Sequence, residues 1–236
     1  MALSRLEPTE ILRKLNHKFS SNLESAIASP LATLSNIEIK TQVLGEFGVF
    51  LQKVDSKTPT QSQLAMVDEE VFADVVSSMY LASIGLVMPA HMSMRRALEL
   101  GVALVYLWDL PHVFWGWKEC DKDLSFSEML EYLESKSYRS FLANTINFPL
   151  DATLVDIRRL REIYRITSNT THGKIATHKV LMGDGFSHSA TEWSDCLDLL
   201  DGTTSAVIQL WFHRYPSAAQ NVKDAVPAYG RICDIE

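Results

Sequence analysis

Four side chains suited to proton transfer and anion binding stand within eight residues of one another. They are Arg165, Ser168, Asn169 and His172, in the stretch YRITSNTTHG at 164–173. An α-helix turns 100° per residue, so positions i, i+3, i+4 and i+7 share a face. In a helix these four residues form one polar stripe. The guanidinium of Arg165 offers a fixed fork of donors that matches phosphate oxygens. Histidine titrates near neutral pH and can take or give a proton. Ser168 and Asn169 can orient the imidazole or donate to a developing negative charge. Together they suit chemistry on a phosphodiester. The rise from Arg165 to His172 is roughly 10 Å, a gap that a bent nucleotide backbone or a second copy of the helix would fill.

The local charge points the same way. Residues 158–179 hold six basic side chains (Arg158, Arg159, Arg161, Arg165, Lys174 and Lys179) and one acid, Glu162, within a chain of net charge −7. Such a concentration can steer a polyanion toward the stripe. A plainer use also exists. The basic run can face the acidic row Glu192, Asp195, Asp198 and Asp201, which recurs every three residues.

A second set of charges lies in RRALELGVALVYLWDL at 95–110. Arg95, Arg96 and Glu99 interrupt a segment so apolar that both of its sides are expected to be buried, and charges there need partners. Glu99 can pair with Arg95 at i, i+4 or with Arg96 at i, i+3. The aromatic run YLWDLPHVFWGW at 106–117 can stack on bases, but reads better as a core cap or dimer contact. His112 and His188 have no companions at ligand spacing. MGDGFS lacks the lysine of a phosphate loop.

The elements that must position these groups have helical period. Leu12, Leu15, Phe19, Leu23 and Ile27 recur at three and four residues over 7–28. The segment 30–54 is ambiguous, because Gly45 and Gly48 weaken a helix and IEIKTQVL alternates like a strand. The polar stretch 55–63 reads as a linker. Four strong helices follow: one through 66–87, one starting at Pro89, one from about Asp151, and one over 190–214. The third has Leu154, Ile157, Leu160 and Ile163 as its buried side. Shorter pieces fall near 125–135 and 137–146. The expectation is an all-α protein built around an antiparallel bundle. Its parts would be an N-terminal helical extension (1–66), the bundle (67–214) and a C-terminal tail (215–236).

With 236 residues the chain can bury a substantial core. Its acidic balance argues against a generally basic nucleic-acid coat. Cys120, Cys196 and Cys233 stand far apart, which reads as reduced thiols in a cytoplasmic protein and gives neither a disulfide framework nor a zinc site. The N-terminus lacks the apolar core of a signal peptide, and Pro89, Arg95, Arg96 and Glu99 break the most apolar region, so no membrane span is expected.

The Arg-x6-His spacing of Arg165 and His172, with Arg95, Arg96 and Glu99 on a preceding long helix, resembles the HEPN superfamily. These are helical-bundle proteins, many of them prokaryotic RNases of toxin–antitoxin and phage-defence systems. The likeness spans roughly residues 67–214. It implies a metal-independent endoribonuclease without cofactor, in which Arg165 and His172 promote attack of the RNA 2′-hydroxyl on the adjacent phosphate. Ser168, Asn169 and Glu99 would assist, Glu99 by holding Arg165 or an arginine of its own helix. Arg161, Arg96 and Lys174 would bind substrate. A homodimer is implied, with an antitoxin or regulatory protein as a further partner. The family commonly has Asn, Asp or His directly after the motif arginine, where this chain has Ile166. Asn169 one turn on can substitute; otherwise the fold remains as a non-cleaving module that binds RNA, nucleotide or protein.

Overall fold

Apolar residues at three- and four-residue spacing become helices throughout the described residues. The computed structural model describes residues 8–28, 32–53, 58–64, 66–120, 122–171 and 187–231, and no strand occurs among them. The helices are α1 (Pro8–Ala28), α2 (Ala32–Lys53), α3 (Pro59–Leu64), α4 (Val67–Ser83), α5 (Val87–Asp109), α6 (Pro111–Glu119), α7 (Phe126–Glu134), α8 (Lys136–Ile146), α9 (Ile157–Thr171), α10 (Ala190–Arg214) and α11 (Pro216–Ala225), followed by a short 3₁₀ turn (Tyr229–Arg231).

The central helix is α5, which packs against α4, α9, α10 and α7. Its residues Gly101 to Val105, with Leu98, Leu107 and Trp108, are buried almost all round, as expected of a helix enclosed by others. Each fully buried aliphatic side chain contributes about 1.5–3 kcal/mol. Gly101 sets the closest approach to α10: a Cβ there would stand 2.6 Å from Val207 Cγ2. The bared Gly101 carbonyl accepts from Trp211 Nε1–H at 2.8 Å.

Contacts fix the helix directions. His91, Gly101 and Asp109 of α5 meet Cys196, Trp211 and Arg214 of α10 in the same order, so α5 and α10 run parallel. His91 and Arg95 meet Thr170 and Ser168 of α9 in reverse order, so α9 is antiparallel to α5. The hairpin through Gly85 (φ 84°) makes α4 antiparallel as well.

The ambiguous segment 30–54 resolves as helix. In α2, Ile37, Val43, Leu44, Phe47 and Leu51 are fully buried, and Phe47 stacks on Trp211 with centroids 4.6 Å apart. Burial on three- and four-residue spacing outweighs the short strand-like alternation. The core joins residues from Ala26 to Tyr229. The division expected at residue 66 therefore coincides with no break in packing. Past residue 214, Ala218 and Val222 of α11 are buried in the same core. Another expected boundary moves: the helix anticipated from Asp151 starts at Ile157. Asp156 caps it, its Oδ1 accepting from the backbone N–H of Arg158 (3.0 Å) and Arg159 (3.2 Å).

Buried charges tie the frame together. Arg214 at the end of α10 pairs with Asp109 at the end of α5, which also accepts from Tyr138 Oη at 2.8 Å. Lys40 of α2 donates to Asp201 Oδ1 (2.6 Å) and Ser205 Oγ (2.7 Å) of α10. Asp68, in the first turn of α4, lies against Gly48, where a Cβ would overlap its carboxylate. It is 2 % exposed. Its Oδ1 has no hydrogen-bond partner among the described residues. Burial, with Glu69 adding to it, pushes this carboxyl up to about 8.

Candidate functional site

The polar stripe of α9 faces a second polar stripe on α5, and the two close into a seam. On α5, His91, Arg95 and Glu99 follow at four-residue spacing, so they share one face of the helix. All three are half-buried. Arg95 Nε donates to Glu99 Oε1 at 3.0 Å, its NH2 nitrogen to Tyr164 Oη at 2.9 Å, and its NH1 nitrogen to Ser168 Oγ at 3.3 Å. The guanidinium carbon lies 4.7 Å from the Tyr164 ring centroid. Tyr164 in turn stacks on Phe126 of α7 at 4.3 Å with the rings nearly parallel. Arg95 is thus fixed by a carboxylate, a phenol and a hydroxyl, and partial burial strengthens each bond relative to water.

One turn toward the start of α5, His91 bridges α9 and α10. Its Nδ1 lies 2.9 Å from Thr170 Oγ1 and its Nε2 lies 3.6 Å from Cys196 Sγ. Thr170 donates its own proton to the Ile166 carbonyl at 3.3 Å, so its hydroxyl is left to accept from Nδ1–H. That assigns Nε2 as acceptor of the Cys196 thiol proton. Burial holds His91 below its usual range. Burial, with Glu192 and Asp195 adding to it, pushes the Cys196 thiol up to about 12. A neutral imidazole facing a protonated thiol is a latch between helices and does not form a thiolate nucleophile.

The expected site residues distribute as follows. Arg165 is exposed and makes no ion pair among the described residues; Ser168 and Asn169, on the same face, are half-buried. Glu99 holds Arg95, an arginine of its own helix. Arg96 points the other way, to Asp74 (2.9 Å) and Glu70 (2.6 Å) of α4. Arg161 pairs with Glu134 of α7 at 3.0 Å. His172 and Lys174 lie outside the described residues, as do His178 and Lys179. Among the described residues, no acid of 192–201 pairs with the basic run: Asp201 pairs with Lys40, while Arg159 pairs with Glu162 of its own helix.

The aromatic run 106–117 serves packing. Trp108 meets Tyr215 edge-on at 5.3 Å, Phe114 is buried, and Trp115 Nε1 donates to Thr60 Oγ1 at 3.1 Å. His91, Tyr164, Thr170 and Cys196 were not visible as a group in the sequence. The four-residue recurrence of His91, Arg95 and Glu99 was the available signal, and it marks only one side of the seam. Among the described residues, no three His, Cys, Asp or Glu side chains come together as a metal site. No helix among them is long and apolar enough to cross a membrane.

Fold and seam define an all-α helical bundle with a partly open polar seam between α5 and α9. Set against protein-family models, curated proteins and solved structures, the chain matches none.

Proposed function

We propose that this chain is a metal-independent endoribonuclease of the HEPN type, acting in a defence or toxin–antitoxin setting in the cytoplasm. His172 takes the proton of an RNA 2′-hydroxyl, whose oxygen attacks the adjacent phosphorus. The 5′-oxygen of the next nucleotide leaves and takes a proton from the imidazolium of His172 or from water, giving a 2′,3′-cyclic phosphate. Arg165 stabilises the negative charge that builds on the phosphoryl oxygens. The dependence on the 2′-hydroxyl selects RNA over DNA.

One observation carries this reading: a fixed guanidinium, Arg95, stands at Ser168, one helical turn from Arg165, which is exposed and makes no ion pair among the described residues. Two arginines along one seam, with a carboxylate on Arg95 and none on Arg165 among the described residues, suit an anion. Glu99 holds Arg95 in place at 3.0 Å, and Asn169 lies on the same face as Ser168. A homodimer would bring a second copy of α9 within reach.

The test is cleavage of single-stranded RNA in EDTA by the full chain. Cleavage by the wild type, lost in His172→Ala and Arg165→Ala while both variants keep their helical circular dichroism, is the expected result. Intact RNA with wild-type protein refutes the proposal. A second reading, a module that binds RNA or another anion without cutting it, is favoured by one specific residue. Ile166, directly after Arg165, packs its apolar side chain against the core and supplies no polar group there. That reading predicts salt-sensitive binding with no product.

A further inference from the structure

The loop that leads from α8 into α9 is pinned at both ends beside a cleft. Asn147 ends α8 in the left-handed conformation (φ 54°), and the Phe148 backbone N–H returns to the Leu142 carbonyl at 3.4 Å, a common way to close a helix. Past that turn the Phe148 ring meets His213 of α10, with centroids 5.6 Å apart. His213 Nδ1–H donates to the Leu154 carbonyl at 2.6 Å, and Asp156 caps α9 two residues later. Between α8, this loop and the start of α9 lies a cleft of about 450 Å³, a size that takes small organic groups.

Its floor is apolar: Leu133, Leu142, Leu154, Val155 and Ile157 line it and are buried, and the half-buried Phe148 stands at the side. Its rim is charged. Two carboxylates stand there, and the chain itself uses both. Glu134 takes Arg161 at 3.0 Å, and Asp156 accepts from the backbone N–H groups of Arg158 and Arg159. The two guanidiniums of the rim are less engaged. Arg139 is exposed and makes no ion pair among the described residues. Arg158 has its side chain 95 % exposed and stands 3.9 Å from Asp156 Oδ1.

An apolar floor with an aromatic side and guanidiniums at the edge suits a flat ring that carries a phosphate. The ring lies on the aliphatic side chains and Phe148, while Arg139 and Arg158 present their donor forks to phosphate oxygens. The cleft also lies in line with Arg165. Arg158, Arg161 and Arg165 follow at three- and four-residue spacing on one face of α9, with a rise of about 10 Å from first to last. We infer that the cleft is a base-binding subsite for single-stranded RNA. It holds one unstacked nucleotide about 10 Å along α9 from Arg165, and Arg139 and Arg158 take that nucleotide's phosphate. The subsite rests on the reading of RNA as the substrate and is independent of whether the strand is cut.

Fluorescence anisotropy of a short labelled 2′-O-methyl oligoribonucleotide, which cannot be cut, reads binding to the full chain. In a series of strands that each lack one base, one position is expected to weaken binding about fivefold or more, the scale of a lost base–aromatic stack. Thr153→Trp, at an exposed position on the cleft, obstructs the subsite. It should bind the intact strand as weakly as wild type binds the sensitive abasic one, with no further loss on that abasic strand. Arg139→Ala and Arg158→Ala should each lower the slope of log affinity against log salt by about 0.7, one phosphate contact on a single strand. Should Thr153→Trp lose its helical circular dichroism, the two arginine variants and the abasic series decide. Absent binding overturns the subsite, as does binding that no missing base changes, variants that match wild type, or an acidic peptide that competes as well as the RNA. RNA cut in EDTA alongside base-independent binding removes the subsite and leaves the nuclease; uncut RNA with base-dependent binding does the reverse.

Discussion

The buried carboxyl of Asp68 gives the fold a pH dependence that can be worked out in advance. Its ordinary value of 3.8 rises to about 8 in the folded chain, so the native state keeps a proton that the unfolded chain releases above pH 4. Stability from this group is fully present below pH 4 and is lost as pH rises through 8. Each unit of displacement corresponds to about 1.4 kcal/mol, so pH 7, three units above the ordinary value, costs roughly 4 kcal/mol. At pH 7 the folded chain still holds this carboxyl protonated, so the favourable placement of a carboxylate in the first turn of α4 does not reduce the cost. Asp68→Asn keeps the shape and removes the titration. Urea unfolding of wild type and variant between pH 4 and 9 should show a stability difference that moves toward the variant by about that amount up to pH 7, then levels off above pH 8. A difference that stays constant across this range refutes the reasoning, because it would mean that the carboxyl is solvated or partnered in the folded chain.

His91 predicts the opposite slope. Burial depresses it below the usual 6.5, so the folded state holds it neutral while the unfolded chain takes a proton as pH falls. Stability is complete above 6.5 and declines below it; His91→Gln should flatten that acid limb in urea titrations at pH 5 and 7. The Asp109–Arg214 pair should behave as a buried ion pair does when one partner is removed. Arg214→Ala is expected to cost about 3–5 kcal/mol in the same assay, against 1 kcal/mol or less for an exposed pair such as Glu10–Lys14.

The all-α fold was legible because the apolar spacing of three and four residues repeats in nearly every segment, and burial follows it in α5, α9 and α10. Residues 32–53 were ambiguous for a local reason: eight residues of strand-like alternation and two glycines say little about which neighbours will cover them. Phe47 against Trp211 and Gly48 against Asp68 are tertiary facts. The start of α9 depends on which of two aspartates caps it, and both are chemically suitable. The candidate site was half legible. Arg95, Glu99 and Ser168 could be singled out by type and spacing, but the pairing of Arg96 with α4 and not with α9 follows from one step of 100° around α5. The His91 bridge draws on helices 79 and 105 residues away in the chain, a distance at which no periodicity helps.

The parallel run of α5 and α10 has a consequence for synthesis. Gly101 finds Trp211 and Asp109 finds Arg214 at separations of 110 and 105 residues. On the ribosome, α5 therefore emerges with one apolar flank uncovered and waits for 105 further residues, the separation of Asp109 and Arg214, before that flank is sealed. Long-range closure of this kind slows folding and leaves sticky surface open meanwhile. A chain cut short before α10 should be aggregation-prone and a substrate for holdase chaperones, whereas one ending just past Arg214 already has every helix that encloses α5.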